Sequence, residues 1–388
     1  MKKSLIALAA TAAFGTAFAQ SSVTLFGVID VGYGGKTWTD DTVGDSKTLG
    51  LQDGALAGSR FGFRGVEDLG GGLKASFVIE QGLSPTSQRL TDIRTSTSGH
   101  QIDVNAPGVT TGNWGLSGRS ASSLNRQSFV ALGGGFGEVR LGYQYTNLYE
   151  MSTLSGYNIG SEGVHGADTS HTYGAGIVGG TRANGITYIS PTIAGGLSVR
   201  LQYGAGTNQN EFGSEIEGYR NEKRISGMAQ WRSGPLSVAA AYTEYTTETE
   251  ACTVGLCATT PIFASADTKA KAKLTQLGAS YDFGIARVAG TYSMGTAADD
   301  DKLRAWQVGA RAPFGAFAVV ATYGQGYTKD DATDTKLNDH TQWQAGATYS
   351  LSKRTTAYLY YGVTEDDGTA QTAIDKKTNW IAGMIHTF

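Results

Sequence analysis

The sequence predicts an all-β protein: a membrane-spanning antiparallel barrel with a polar interior and an apolar outer surface. In the stretch Gly58 to Gln81, Phe61 and Phe63 alternate with Arg60 and Arg64, and the same alternation resumes after the turn VEDLGGG. Because successive side chains of a strand point to opposite faces, each strand has one apolar and one polar face. An Arg or Lys facing lipid costs roughly 2–4 kcal/mol at the bilayer midplane, so we expect the arginines to face inward.

Composition agrees with this class and excludes others. The chain has 388 residues, 55 of them Gly and 19 Tyr, which favours tight turns and aromatic girdles. No apolar run of about 18 residues follows the N-terminus, so we expect no membrane-spanning helix. The formal net charge of -3 argues against nucleic acid as a partner.

The N-terminus predicts export from the cytoplasm. Lys2 and Lys3 precede the apolar run Leu5 to Phe18, which ends at an Ala-Phe-Ala cleavage site. We therefore expect a signal peptide at residues 1–19 and one barrel domain at residues 20–388. The alternative, a buried N-terminal helix, is disfavoured by the two lysines.

Hairpins of the same kind repeat along the chain. An opening strand (Ser22 to Gly34) and a closing strand (Asn379 to Phe388) flank seven hairpins, which predicts sixteen strands. An even number lets the first and last strands pair antiparallel and leaves no open edge in hydrocarbon. Short turns alternate with longer polar segments, as expected for periplasmic turns and external loops. The acidic segment Gly35 to Ala57 is interpreted as a surface loop. The hairpins are Gly58–Gln81, Asn125–Tyr145, Ala183–Gly204, Glu222–Thr246, Ala272–Gly295, Leu303–Gly326 and Thr341–Thr364.

The chain resembles the general-diffusion porins of Gram-negative outer membranes, in the type found in β-proteobacteria. The motifs that carry the resemblance are SSVTLFGVIDVGYG, GSRFGFRGVEDLGGGLKASFVIE, NRQSFVALGGGFGEVRLGYQYT, NGITYISP and the terminal GMIHTF. The resemblance implies a homotrimer of 16-stranded barrels in outer-membrane lipid, each with a water-filled pore. It also implies that the third loop, Thr146 to Arg182, folds inward, and that Phe388 signals to the barrel assembly machinery. Tyr143 departs from the family pattern, which often has a basic residue there.

The expected function is passive diffusion of small hydrophilic solutes and ions, because a barrel this wide leaves an aqueous channel. Selectivity then depends on charges at the narrowest point. The basic wall is richer in charge than the acidic loop, which favours a preference for anions. The candidate basic residues are Arg60, Arg64, Lys74, Arg140 and Arg200. The candidate acidic residues are Asp30 and Glu80 on the wall, and Glu150, Glu162 and Asp168 in the third loop.

Two cysteines lie close together in the fifth external loop, Thr247 to Lys271. In an oxidising compartment, Cys252 and Cys257 are expected to form a disulfide. The alternative is a metal pair, which lacks further Cys or His nearby.

Other functions remain as alternatives. A barrel enzyme needs a Ser, a His and an acid at the membrane rim, and the sequence shows no such set; we expect neither enzyme activity nor a cofactor. A surface adhesin would use the long loops instead. A soluble β-sandwich conflicts with the signal peptide and the terminal aromatic strand. A metal site formed by His165, Asp168 and His171 is a weaker interpretation than ordinary loop polarity.

Overall fold

The computed structural model describes residues 22–39, 44–54, 56–86, 89–90, 126–154, 181–193, 195–205, 220–249, 268–298, 300–367 and 376–388. Most of these residues lie in strands: β1 (Ser22–Thr39), β2 (Ser46–Asp53), β3 (Arg60–Gly70), β4 (Leu73–Ser84), β5 (Arg89–Leu90), β6 (Gln127–Gly134), β7 (Gly137–Tyr145), β8 (Arg182–Ile189), β9 (Leu197–Ala205), β10 (Arg220–Ser233), β11 (Leu236–Thr249), β12 (Thr268–Asp282), β13 (Arg287–Thr296), β14 (Lys302–Phe314), β15 (Phe317–Lys329), β16 (Lys336–Ser350), β17 (Thr355–Asp366) and β18 (Lys376–Thr387). The helix α1 (Asn147–Leu154) follows β7. Within these ranges, no helix is long and apolar enough to cross a membrane.

The strands form one antiparallel sheet that closes on itself. From β6 to β18 each strand pairs with its neighbours in the chain, β4 pairs with β3 and β6, and β1 pairs with β18. On its other side β1 pairs with β2 and β3 in turn, with Val31 opposite Asp53 and Val28 opposite Arg60. Strands β2 and β3 are thus two parts of one barrel strand, interrupted between Asp53 and Arg60. With β5 a short addition to β4, the described residues form a closed 16-stranded barrel, which confirms the predicted fold.

One sequence prediction about the first connection is wrong. The sequence predicts a surface loop over Gly35 to Ala57, but β1 continues to Thr39 and β2 occupies Ser46–Asp53. Leu49 and Leu51 alternate along β2 and are largely exposed on its outer face. Leu49 and Leu51 are the only large apolar residues of β2, and the other residues are polar or Gly. The segment therefore resembles a polar loop in the sequence.

The barrel is apolar outside and polar inside, as the alternation predicted. On the outer face, Leu201 is 52% exposed and Phe63 is 44% exposed. On the inner face, the side chains of Gln144 and Thr187 are fully buried at 0% exposure. A soluble protein shows the opposite arrangement, so this polarity indicates that the outer surface faces lipid.

Glycine is required at the turn between β3 and β4. Gly70, Gly71 and Gly72 have φ values of 81°, 62° and 82°, a left-handed conformation that L side chains rarely adopt. The turn therefore reverses the chain within three residues, as expected for the short-turn end of the barrel.

The last residue closes the cylinder at the same end. The Phe388 N–H donates to the Gly27 carbonyl at 3.1 Å, and the Gly27 N–H donates to the Phe388 carbonyl at 3.0 Å. A Cβ atom at position 27 would lie 2.2 Å from the Phe388 ring. Glycine at this position therefore lets the terminal aromatic ring lie flat against β1.

Candidate pore constriction

The helix α1 lies against the inner wall at the start of the third loop. Met151 is fully buried and packs with Met228 and Ala241, which lie on the inward faces of β10 and β11. One turn earlier, Leu148 packs with Leu274, on the inward face of β12. Apolar residues on the polar face of a strand would be costly in a pore, but here they anchor the helix. The inward path expected for the third loop is thus observed for its first residues.

Arg200 connects this helix to the wall. The Arg200 guanidinium donates from Nη1 to Glu150 Oε1 at 3.0 Å and from Nη2 to the Tyr145 carbonyl at 2.9 Å. Its side chain is 11% exposed and that of Glu150 is 31% exposed. The structure therefore brings together a wall arginine and a third-loop acid that the sequence assigns to opposite sides of a constriction.

A second charged cluster surrounds Glu80. Arg126 donates from Nε to Glu80 Oε1 at 2.6 Å and from Nη2 to the Tyr145 hydroxyl at 3.2 Å. Gln127 donates to Glu80 Oε2 at 3.1 Å, and Arg60 Nε lies 3.5 Å from Glu80 Oε1. Glu80 is 4% exposed and therefore presents little charge to the lumen.

Three arginines near α1 were not among the residues predicted from the sequence. Arg126 immediately precedes β6, where strand alternation gives no guide. The Arg182 guanidinium lies 4.7 Å from the centre of the Tyr145 ring, and that of Arg224 lies 5.4 Å from the centre of the Tyr245 ring. Arg224 alternates in phase with the inward-facing residues of β10, so its inward orientation could have been predicted from the sequence.

Tyr145 joins these groups to the helix. Its ring stacks on Tyr149 of α1, with the ring centres 4.0 Å apart and an interplanar angle of 11°. Tyr145 thereby contacts the Arg126–Glu80 cluster with its hydroxyl, Arg200 with its carbonyl oxygen and α1 with its ring.

Asp30 holds a different inward element. Its carboxylate is completely buried and accepts hydrogen bonds from the Tyr358 hydroxyl at 2.6 Å and from the backbone N–H groups of Leu56 and Ala57 at 2.8 Å each. We call residues 54 and 56–59, which lie between β2 and β3, the inward segment. The Leu56 side chain packs against buried inner-wall residues that include Tyr358 and Tyr360. The sequence predicts Asp30 as a pore-lining acid on the wall, but here it is buried and fixes the backbone of this segment.

Among the remaining predicted wall cations, Arg140 lies close enough to Arg200 to interact with it electrostatically, whereas Arg64 and Lys74 lie away from these contacts. The Arg64 guanidinium lies 5.3 Å from the centre of the Phe26 ring, and Arg140 donates to Glu138 at 2.5 Å. Lys74 is exposed and lies beside the short turn that precedes β4. The described contacts do not bring Arg64 or Lys74 to α1. Glu162, Asp168, Cys252 and Cys257 lie outside the described residues, as do His165, His171 and residues 1–19.

Over the described ranges, several arginines line the inner wall, and Arg60 and Arg126 share one carboxylate, Glu80. Two of the acids, Asp30 and Glu80, are buried in hydrogen bonds. Arg60 and Arg140 keep side-chain exposures of 26% and 24%, and each lies within salt-bridge distance of a carboxylate, Glu80 at 3.5 Å and Glu138 at 2.5 Å. Inward-facing arginines also occur on later strands, near the short-turn end. The inner-wall arginines are Arg60, Arg64, Arg140, Arg200, Arg224, Arg287 and Arg311.

Comparison with known proteins places this barrel in a family. A family model described as Gram-negative porin matches residues 4–369. Outer membrane porin protein 32 of Delftia acidovorans is 34% identical over 305 residues, covering 75% of this chain and 68% of the relative. An outer membrane porin protein of Bordetella pertussis is 30% identical over 277 residues, covering 63% of this chain and 70% of the relative.

Solved structures agree. The anion-selective porin from Comamonas acidovorans matches with a TM-score of 0.64 and 25% identity, over 95% of this chain and 100% of that chain. The trimer form of OmpT from Vibrio cholerae has a TM-score of 0.59 at 15% identity, over 95% and 99%, and shares the fold alone. The family match, the relatives and the inside-out 16-stranded barrel together show that the chain belongs to the Gram-negative porins and is an outer-membrane protein.

Proposed function

We propose that this porin forms a water-filled channel for the passive diffusion of small hydrophilic solutes and ions across the outer membrane, with a preference for anions. One observation carries the preference. Beside α1, Arg60 and Arg126 share the single carboxylate of Glu80. Arg200 and Arg140 are each balanced by one carboxylate. A permeating anion thus meets a surplus of one positive charge at the Glu80 cluster.

The charge is placed where it can act on small solutes. A 16-stranded barrel is too wide for side chains to fill, and α1 reduces that width on the β10–β12 side. Carboxylates and phosphates match the donor geometry of guanidinium groups, so small organic and inorganic anions are the favoured solutes. The likeness to a porin whose description is anion-selective supports the same preference.

Single-channel recording in planar bilayers tests this proposal. We expect stepwise, ohmic currents that rise in proportion to bulk salt, since the path is aqueous. In a salt gradient, the zero-current potential should have the sign of anion selectivity. A clear cation preference would overturn the anion assignment, and a silent barrel would overturn the channel itself in favour of an adhesin or structural role.

The proposal also covers the oligomeric state, the removal of the signal peptide and the disulfide. We infer a homotrimer, supported by the trimer form of a solved porin of the same fold. Intact mass of the assembly extracted in mild detergent should equal three chains. The mass of one chain should correspond to a start at Gln20 and to a chain two hydrogens lighter if Cys252 and Cys257 are joined.

Assembly in the membrane is inferred to depend on the terminal aromatic residue. Phe388 both closes the barrel and forms the exposed end of β18, where the barrel assembly machinery would recognise it. Deleting Phe388 should reduce the amount of folded protein in cells more than the yield of refolding in detergent. Equal losses in the two settings would assign Phe388 to barrel stability alone.

A further inference from the structure

The second barrel strand contains more residues than its neighbour β1 can pair. Asp53 lies opposite Val31, and Arg60 lies opposite Val28. Two residues of β1 separate these partners, whereas six residues separate Asp53 from Arg60 in the chain. A continuous strand would need two residues there, so four residues are in excess of the sheet. In a barrel wall, such an excess turns either toward lipid or toward the lumen.

The excess residues turn toward the lumen. The Asp30 side chain lies on the inward face of β1 and accepts hydrogen bonds from the backbone N–H groups of Leu56 and Ala57. Asp30 is 0% exposed, so the inward segment covers it from the lumen side. A Cβ atom on Gly54 would lie 1.8 Å from Asp30 Cγ, so glycine lets the chain pass this close. Backbone polar groups of a loop would be unsatisfied in hydrocarbon, which is the physical reason for the inward course.

The inward segment is fixed to the wall by hydrogen bonds and by packing. Ser59 Oγ accepts from the Asp30 N–H at 2.9 Å and donates to the Asp30 carbonyl at 3.1 Å. The Ser59 carbonyl accepts from the N–H of Leu83 at 3.0 Å. The Leu56 side chain packs against a buried cluster with members on β13, β15, β17 and β18. The segment is therefore a stable part of the lumen surface.

The inward segment and α1 leave the wall at similar distances from the short-turn end. The segment precedes β3, which runs 11 residues to its short turn, and α1 follows β7, which runs 9 residues from its short turn. Arg60 donates from Nη1 to the Gly58 carbonyl at 2.8 Å and lies 3.5 Å from Glu80. Glu80 accepts from Arg126, which donates to the hydroxyl of Tyr145 beside α1. The two inward elements thus bound one cross-section of the lumen, with α1 against β10–β12 and the segment against β1 and β17.

We propose that the inward segment is a second constriction element, which together with α1 sets the upper size of the solutes that pass. Its described residues are Gly, Leu, Ala, Gly and Ser, so it carries no charge and acts by occupying space. Leu56 and Ala57 are half-buried, and their exposed parts face the lumen because the segment covers the inner wall. This inference rests on the proposed channel function. It concerns solute size, so it is independent of the proposed preference for anions.

Deleting residues 54–57 tests this role without shifting the strand register. The deletion leaves two residues between Asp53 and Arg60, so both can keep their present partners on β1. Swelling of liposomes that contain the purified protein measures the entry of glucose and of the trisaccharide raffinose. Neutral sugars are used because the deletion also uncovers the Asp30 carboxylate. We expect the raffinose-to-glucose ratio of entry rates to rise roughly twofold or more, because a barrel of this strand number is wide when nothing fills it.

Ala57→Trp tests the role in the opposite direction and does not depend on the folding of the deletion variant. The added ring narrows the lumen, so we expect the raffinose-to-glucose ratio to fall roughly twofold or more, since selection by size depends on the pore radius. Ala321→Trp is the matched control. Ala321 lies on the outer face of β15 between the exposed residues Val319 and Tyr323, so its ratio should equal that of the wild type.

The outcomes separate this inference from the channel proposal. An unchanged ratio in the folded deletion variant or in Ala57→Trp would overturn the inference and leave the channel proposal standing. An equal fall of the ratio in Ala321→Trp would also overturn it, because the effect would then belong to any added tryptophan. Wild-type protein that admits neither sugar and passes no current would overturn both proposals together.

Discussion

At the residue scale, Arg200 sets the charge balance beside α1. It is the one wall arginine of the sequence prediction that contacts a third-loop acid in the described contacts, through Glu150. We expect Arg200→Gln to lower the anion-to-cation permeability ratio about twofold, because a unit charge about 8 Å from an ion in water contributes about 0.5 kcal/mol. The reversal potential in a salt gradient measures the change.

Arg200→Lys is the matched control. It keeps the charge but loses the two-pronged contact with Glu150 and the Tyr145 carbonyl. Its reversal potential should stay near the wild-type value. If Arg200→Gln left selectivity unchanged, the constriction charge would have to come from other arginines.

An exposed carboxylate in the connection after β15 gives a pH prediction. The Thr333 N–H donates to Asp330 at 2.7 Å and the Ala332 N–H at 2.8 Å, which lowers the pKa of this carboxyl below its ordinary value. A lowered folded pKa stabilises the turn above the unfolded pKa, and this contribution is lost as the pH falls through the folded value. We expect the turn to persist at pH 5 and to loosen only on stronger acidification. Carboxyl-carbon NMR titration, with Asp330→Asn as the reference for assignment, would reveal an ordinary pKa if this is wrong.

At the element scale, the inward segment depends on a buried carboxylate that holds three donors. Tyr358→Phe removes the hydroxyl donor to Asp30 and leaves the two backbone donors of Leu56 and Ala57. Losing a hydrogen bond to a charged group costs about 1.5–3 kcal/mol, so the variant should unfold at lower temperature. Its single-channel current should also fluctuate more, because the inward segment loses a tether.

Tyr361→Phe is the control for this element. Tyr361 lies on the outer face of the same strand and contacts Trp343 rather than the inward segment. Its loss should leave current fluctuations unchanged. Similar noise in both variants would indicate a general loosening of β17 and would separate the current from the inward segment.

Elements with strong alternation could be predicted from the sequence, and weakly alternating ones could not. The hairpin β14–β15 follows its predicted boundaries because exposed and buried residues alternate along both strands. Strand β2 was missed because only Leu49 and Leu51 carry its apolar face. The anchoring of α1 depends on Met228 and Leu274. These apolar residues lie on the otherwise polar inward face, so the alternation alone does not explain them.

Contacts between residues far apart in the sequence could not be predicted at the candidate site. Asp30 and Tyr358 are 328 residues apart, and only barrel closure brings them together. The alternation of side chains along β1 places Asp30 on the inward face, as the structure shows. Alternation alone cannot distinguish a carboxylate exposed to water from one that is buried beneath a backbone segment. Arg126 lies just before β6, so the alternation along that strand does not predict which way its side chain points.

At the scale of the whole molecule, closure of the cylinder rests on β1 and β18. Their register runs from Val28 opposite Thr387 to Thr39 opposite Lys376, and Phe388 adds two backbone hydrogen bonds with Gly27. We expect Gly27→Val to force the Phe388 ring off β1, because a Cβ there would lie 2.2 Å from it. Overpacking of this kind costs about 1–3 kcal/mol. The unheated protein should therefore convert from its compact to its unfolded electrophoretic mobility at lower temperature.

Gly50→Val separates this packing effect from the general cost of placing valine at a strand glycine. Gly50 lies in β2, and a Cβ atom there would meet no heavy atom within 4 Å. This variant should convert at nearly the wild-type temperature. Refolding both variants in detergent removes any contribution of cellular assembly, so a difference that persists belongs to the closed barrel itself. If Gly27→Val were as heat-resistant as Gly50→Val, closure would depend on the β1–β18 register alone, and the contact with the terminal ring would serve only recognition during assembly.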